Sequence, residues 1–250
     1  MNKIALITGA SSGIGYATAI ALAEKGYDLI ITGRREGKLT DLEKTIDGKV
    51  KTFKMLFDVS DSTEVKAAFD KLPEEWKQID VLVNNAGNAH GFGAIHEGEI
   101  ADWELMIGSN IVGLLNVSKM VLPGMVSRQK GHVVNLSSVA GKQTYENGTV
   151  YCATKKSVEA ISEGMRLDLT KHGIKVTNIA PGAVETEFSN IRFKGDTEKA
   201  KKVYEGFEPL LAVDIADAIA YCVAAPDHVT IADMTIYAKA QAAPTTVYRK

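Results

Sequence analysis

The amino-acid sequence predicts one α/β domain: a doubly wound parallel sheet of about seven strands with helices on both faces. Three observations lead there. Short apolar, β-branched runs alternate along the chain with longer stretches of helical period. The short runs are apolar at nearly every position rather than every second one, as in strands buried on both faces. No Pro/Gly/Ser-rich linker, repeat or low-complexity tract divides the 250 residues, a length that one hydrophobic core can still serve.

Strands are expected at 4–8, 28–32, 50–57, 81–84, 132–137, 175–180 and 234–237. Helices are expected at roughly 13–25, 36–46, 62–72, 102–127, 152–171 and 213–225. Buried strands joined by crossover helices connect right-handedly. In such sheets ligands bind outside the carboxyl ends of the strands, near the point where strand order reverses. Each motif below falls at such an end.

Composition removes several functions. Hydrophobic content of 45% and charged content of 24% describe an ordinary soluble globular protein. A net charge of -2 supplies no field for nucleic acid or an anionic membrane, which leaves a small molecule as the expected partner. Lys199, Lys201 and Lys202 alternate with Glu198 and Glu205 nearby and read as a solvated helix face. Cys152 and Cys222 form neither a disulfide framework nor a thiolate metal site, which fits a reducing compartment. The apolar run after Lys3 is too short for a signal peptide, and no uninterrupted apolar run approaches the ~18 residues that span a bilayer. A cytoplasmic location follows as an expectation. The five histidines, at 90, 96, 132, 172 and 228, are scattered and read as surface or loop residues. His96-Glu97 lacks the second histidine of a zinc helix, and no catalytic metal is expected.

The first strand runs into Thr8-Gly9-Ala10-Ser11-Ser12-Gly13-Ile14-Gly15 and then a helix. Gly9 permits a tight turn, Gly13 lets backbone approach a pyrophosphate, and Gly15 lets helix pack close to strand. The helix N-terminus, with Ser11, Ser12 and Ile14 around it, then receives phosphate on its N–H groups and positive dipole. A merely structural glycine turn is the rival reading. The second strand ends in Gly33-Arg34-Arg35, with no carboxylate before Glu36. Arginine there accommodates the 2′-phosphate of NADP, where an acid would bind the 2′-hydroxyl of NAD. Arg34 offers a planar fork, and Arg35 either stacks on adenine or adds charge. Asp58 and Val59 close the third strand toward the adenine edge, and Asn85, Ala86 and Gly87 follow the fourth beside the ribose.

Tyr151 and Lys155 are four apart at the start of a helix and share one face. A free phenol has a pKa of about 10, and a neighbouring ammonium favours its ionised form. The pair thus suits a general base for alcohol oxidation and a general acid for the reverse reaction. Lys155 has donors left for a nicotinamide ribose. Ser138, thirteen residues before Tyr151, can bond the substrate oxygen as charge develops on it; Ser137 is the competitor, and the spacing favours Ser138. Asn110 sits inside a long helix that it forms poorly. It either bends the helix and holds a water that takes protons from Lys155, or serves a capping role.

These segments together resemble the short-chain dehydrogenase/reductase superfamily: TGASSGIG at 8–15, NNAG at 84–87, SN at 109–110, NLSS at 135–138, YCATK at 151–155 and PG at 181–182. The resemblance covers almost the whole chain. It implies a single-domain Rossmann fold, NADP as cofactor, and a catalytic tetrad of Asn110, Ser138, Tyr151 and Lys155. It also implies that Pro181, Gly182, Val184 and Thr186 hold the nicotinamide carboxamide, that a lid at about 186–210 closes over substrate, and that the assembly is a homotetramer paired through the long helices. The lid, Ala232-Asp233-Met234-Thr235 and the tail 243–249 are similar to the branch of NADP-dependent serine 3-dehydrogenases. These are also called 3-hydroxy acid dehydrogenases, and act on serine, allo-threonine, 3-hydroxyisobutyrate and 3-hydroxypropionate.

A small acid needs a cationic partner, and Arg192 in the lid can supply a bidentate one beside Phe188; it can equally tether the lid to the body or to a neighbouring subunit. Asn88 and His90 are expected to face the substrate space, and Glu146 would repel an acid if it pointed inward. Two other functions compete: a broad carbonyl or 3-oxoacyl reductase, and an NADP-binding regulator without turnover. The carrier-bound version of the first needs a basic entrance, and the regulator has no use for the Ser/Tyr/Lys set.

Overall fold

The computed structural model describes residues 2–250. In chain order the elements are β1 (Ile4–Ile7), α1 (Gly13–Glu24), β2 (Asp28–Gly33), α2 (Glu36–Ile46), β3 (Thr52–Leu56), α3 (Ser62–Asp70) and β4 (Ile79–Asn84). There follow α4 (Ile100–Ile107), α5 (Gly113–Arg128), β5 (Gly131–Leu136), α6 (Val139–Lys142), α7 (Thr149–Leu169) and β6 (Ile174–Pro181). The last stretch holds β7 (Val184–Glu185), α8 (Phe188–Arg192), α9 (Thr197–Lys202), β8 (Leu210–Leu211), α10 (Ala212–Ala224) and β9 (Asp233–Ile236).

Seven strands pair in parallel in the order β3-β2-β1-β4-β5-β6-β9. Both faces are dry because successive strand residues enter different cores. Ala5, Ile7, Leu29, Ile31, Val83 and Val134 pack with Leu22 of α1 and Ile219 of α10. Leu6, Ile30, Leu82 and Val133 pack on the other side with Val117, Val121 and Met125 of α5 and Leu169 of α7. The period-2 geometry of a strand thus turns a continuous apolar run into two cores. Strand order reverses between β1 and β4, so the loops after these two strands diverge and open a cleft.

Several expectations need correction. A second sheet, β7 with β8, is a two-residue ladder that carries no periodic signal. The helix expected at 102–127 runs from Ile100 to Arg128 and widens into one π-helical turn at Gly108–Val112. Its most apolar stretch has a mean hydropathy of 1.5, so it is long and apolar enough to cross a membrane, which a count of uninterrupted runs overlooked. In this fold Val117, Val121 and Met125 of its second half pack against the sheet instead. His132 is not on the surface. It is buried on β5, bonded to Thr177 Oγ1 at 2.8 Å, and burial, with Lys175 nearby, pushes its pKa down to about 3.

Candidate active site

The cleft between the loops after β1 and β4 belongs to a cavity of about 1040 Å³ that extends under α8 and α9. Gly9 and Gly13 adopt φ of +66° and +55°, a region that side chains strain to enter. A Cβ on Gly15 would collide with Gly9 O and Asn85 Nδ2, so the start of α1 can lie against this loop only as glycine. Ser12 begins α1 without a side-chain cap, and the first turn holds no acid. Its N–H groups and positive dipole end therefore remain for an anion, with Ser11 and Ile14 lining the same cavity. The cradle, its glycines and its uncapped helix fit a dinucleotide pyrophosphate.

Thr8, which the sequence reading passed over, locks the two loops together. Its hydroxyl accepts the N–H groups of Asn85 at 3.0 Å and Ala86 at 2.9 Å, and Asn85 Nδ2 donates to Thr8 O at 2.8 Å. The threonine that precedes the first glycine was the available signal.

The two arginines after β2 point in different directions. Arg34 Nη1 donates to Asp58 at 3.0 Å. Burial works to raise the pKa of Asp58, but hydrogen bonds from Ser60 and the Arg34 guanidinium outweigh it and hold the carboxyl below its usual range. Arg35 bonds Ser11, Ser12 and Glu187 and also lines the cavity. Val59 lies under Gly113, where a Cβ would meet Val59 Cγ2 at 2.5 Å.

At the other end of the cavity the backbone brings Asn110, Gly87 and Lys155 together. A Cβ on Gly87 would lie 2.8 Å from Asn110 Oδ1 and 3.4 Å from Lys155 Nζ. The π-helical turn aims the Asn110 amide inward. Oδ1 accepts Asn88 N at 2.8 Å, and Nδ2 donates to Asn88 O at 2.9 Å and Thr154 Oγ1 at 3.0 Å. The helix is distorted at Asn110, as the sequence suggested, and the amide braces the loop after β4.

The two serines separate. Both line the cavity, but Ser137 Oγ is buried and donates to Lys155 O at 3.1 Å, whereas Ser138 Oγ accepts Ala140 N at the start of α6 and donates to Pro181 O at 3.4 Å. Tyr151 is 8% exposed, with its ring 5.6 Å from that of Phe188. Burial pushes its pKa well above the ordinary phenol value, Tyr145 adds to the rise, and the nearby Ser138 hydroxyl and Arg192 charge oppose it. Lys155 Nζ donates to Leu136 O at 2.9 Å, and burial brings the lysine pKa down to about 8.

Arg192 enters from α8 and lies over three rings: Phe92 at 4.8 Å, Tyr151 at 5.5 Å and Tyr145 at 5.6 Å. Its Nε and Nη2 are buried and have no hydrogen-bond partner among the described residues. Sequence reading missed Phe92 and Tyr145 because their loops have no periodicity. Asn88 and His90 line the cavity as expected, while Glu146 is exposed and outside it. Burial, Lys194 and Arg34 press the His90 pKa down against the pull of Asp102. Lys199 and Lys202, read as mere solvated surface, line the entrance. Pro181, Gly182, Val184 and Thr186 line the wall between the two ends. Thr186 Cγ2 would be 3.3 Å from a Cβ on Gly13, and a Cβ on Gly182 would strike Gln241 Oε1.

A glycine cradle at the switch point, opening onto a Ser/Tyr/Lys cluster from the loop after β5 and from α7, defines a class of oxidoreductase. The short chain dehydrogenase family model matches residues 3–196, and the chain belongs to that family. It is 43% identical over 229 residues to an NADP-dependent 3-hydroxy acid dehydrogenase of Salmonella typhi, spanning 91% of this chain and 92% of the relative. It is 40% identical over 243 residues to sulfoacetaldehyde reductase 2 of Chromohalobacter salexigens, spanning 97% and 96%. Among solved structures it resembles a closed form of serine dehydrogenase complexed with NADP+, with a TM-score of 0.92, 38% identity and coverage of 99% and 100%.

Proposed function

We propose that this protein is an NADP-dependent oxidoreductase that moves a hydride between NADP(H) and a small 3-hydroxy acid or the matching 3-oxo acid. NADP+ supplies the hydride acceptor when bound, and NADPH the donor. The loop of Gly9, Ser11, Ser12, Gly13, Ile14 and Gly15 would hold the pyrophosphate, and Arg34 the 2′-phosphate. Asp58 and Val59 would flank the adenine, Asn85, Ala86 and Gly87 a ribose, and Pro181, Gly182, Val184 and Thr186 the carboxamide.

During oxidation the Tyr151 oxygen takes the hydroxyl proton while the carbon–hydrogen pair departs as hydride and the carbon–oxygen double bond forms. Ser138 Oγ donates to the substrate oxygen and steadies the charge on it. Lys155 and Asn110 act behind the tyrosine: the lysine through its readily released proton, the asparagine by fixing the loop that carries Gly87.

The observation that carries the substrate class is the Arg192 guanidinium, with two buried unpaired N–H edges in the same cavity as Tyr151 and Ser138. Buried donors left without acceptors are costly, and an anionic substrate group would satisfy both in one planar contact. The relatives named for a 3-hydroxy acid and for sulfoacetaldehyde have an acid group in the compound named, which agrees with this reading. Replacing Arg192 by Ala should raise KM for 3-hydroxypropionate by about 10–100-fold and KM for a neutral secondary alcohol hardly at all. Equal losses on both substrates would leave Arg192 as a tether and favour a broad carbonyl reductase.

A further inference from the structure

Arg35 joins two parts of the molecule that the reaction uses separately. Its Nε and Nη2 donate to Ser11 Oγ at 3.3 and 3.1 Å, and Nη2 also donates to Ser12 Oγ at 2.6 Å, gripping the glycine-rich loop. Its Nη1 donates to Glu187 at 2.9 Å. Glu187 immediately precedes α8, the helix that brings Phe188 against Tyr151 and Arg192 over it. Thr186, the residue before, packs on Gly13 of the same loop. Among the described residues Arg34 makes one side-chain hydrogen bond, to Asp58, and is 70% exposed, while Arg35 is committed on both sides.

We propose that Glu187 is a positioning residue: through Arg35 it latches the substrate lid to the cofactor loop, so that ordering this loop and closing the lid are one event. Of the adjacent arginines, Arg34 then discriminates NADP from NAD and Arg35 couples the cofactor end of the cleft to the substrate end. The proposal rests on the reading of α8 as part of a lid. Its physical basis is the fork of the guanidinium, which reaches two hydroxyls on one edge and a carboxylate on the other, a span that a lysine cannot duplicate.

The test is limited trypsin digestion of the full-length protein, with cleavage after Arg192 and Lys194 followed by mass spectrometry, without nucleotide and with saturating NADP+. Glu187→Gln keeps the side-chain shape and removes the charge. Cleavage in the lid should be about fivefold faster than in the parent without nucleotide, as expected for loss of a half-exposed but multiply bonded ion pair. Protection by NADP+ should shrink, and KM for 3-hydroxypropionate should rise by a similar factor while kcat changes less than twofold. Arg35→Ala should do the same, and the double variant should be no worse than Arg35→Ala alone, because the two act through one contact. Arg34→Ala should lower NADP preference and leave the lid cleavage rate unchanged. Unchanged cleavage in Glu187→Gln, or single effects that add in the double variant, would overturn the latch. If Phe188→Ala and Arg192→Ala also left substrate KM untouched, the lid itself would be misread; if they raised it while Glu187→Gln stayed silent, only the latch would be lost.

Discussion

Lys155 is the residue whose chemistry and stability pull in opposite directions. Burial lowers its pKa from 10.5 to about 8. The protonated form is therefore disfavoured in the folded chain, at a cost of roughly 3 kcal/mol at pH 7. Because the unfolded lysine keeps its proton up to higher pH, this cost disappears as pH rises from about 8 through 10.5. Lys155→Met should thus melt at or above the parent temperature at pH 7 while losing turnover, and its advantage should fade by pH 10. A lower melting temperature at pH 7 would show that the bond to Leu136 O outweighs the buried charge. At this scale the glycines, Ser138, Tyr151 and Arg34 were legible because each sits at a fixed offset from a strand end or a helix start. Thr8, Phe92, Tyr145 and Glu187 were not, since each acquires its role from a partner brought near only by folding.

Elements were legible where the apolar period was strong. The cores of β1, β2, β5 and β6 fall within a residue or two of expectation, and α7 begins just before Tyr151. The uncertain edges were those that side chains outside the element decide. The strand expected at 50–57 shrinks to Thr52–Leu56, as the ladder to β2 ends at the Gly33–Leu56 pair. The π-helical turn between α4 and α5 shows how an element serves the site. It spends helical regularity to turn Asn110 inward, and the absence of a side chain at Gly87 makes room for it. Gly87→Ala should force these apart, cost about 1–3 kcal/mol in chemical denaturation, and weaken NADP+ binding by calorimetry. A variant with parental stability and affinity would mean that the loop after β4 is free to shift.

At the scale of the whole molecule, one parallel sheet, apolar on both faces, delivers the ends of β1, β2, β4, β5 and β6 to a single cleft. This layout was readable from alternation alone, because both faces of every central strand must be covered. The assembly was not, since a subunit interface and a surface share their composition. Ile100, Leu105, Ile107, Val112 and Leu115 of the long helix, with Leu167 of α7, are exposed in the single chain. The homotetramer that the family resemblance implies would cover them, and sedimentation should give four times the chain mass; a monomer at micromolar concentration would refute that assembly.

The account depends most on Tyr151 as the group that takes and returns the substrate proton. Its raised pKa means that oxidation should quicken as the medium becomes alkaline and more of the phenol is ionised, while the phenol stays protonated as the acid for reduction over the same range. The decisive measurement is the rate of NADP+ reduction with 3-hydroxypropionate across pH 7 to 10, for the parent and for Tyr151→Phe. The parent should accelerate with pH, and the variant should lose about 10²–10⁴-fold in kcat while still binding NADP+. A Tyr151→Phe protein that turns over within tenfold of the parent would contradict the mechanism.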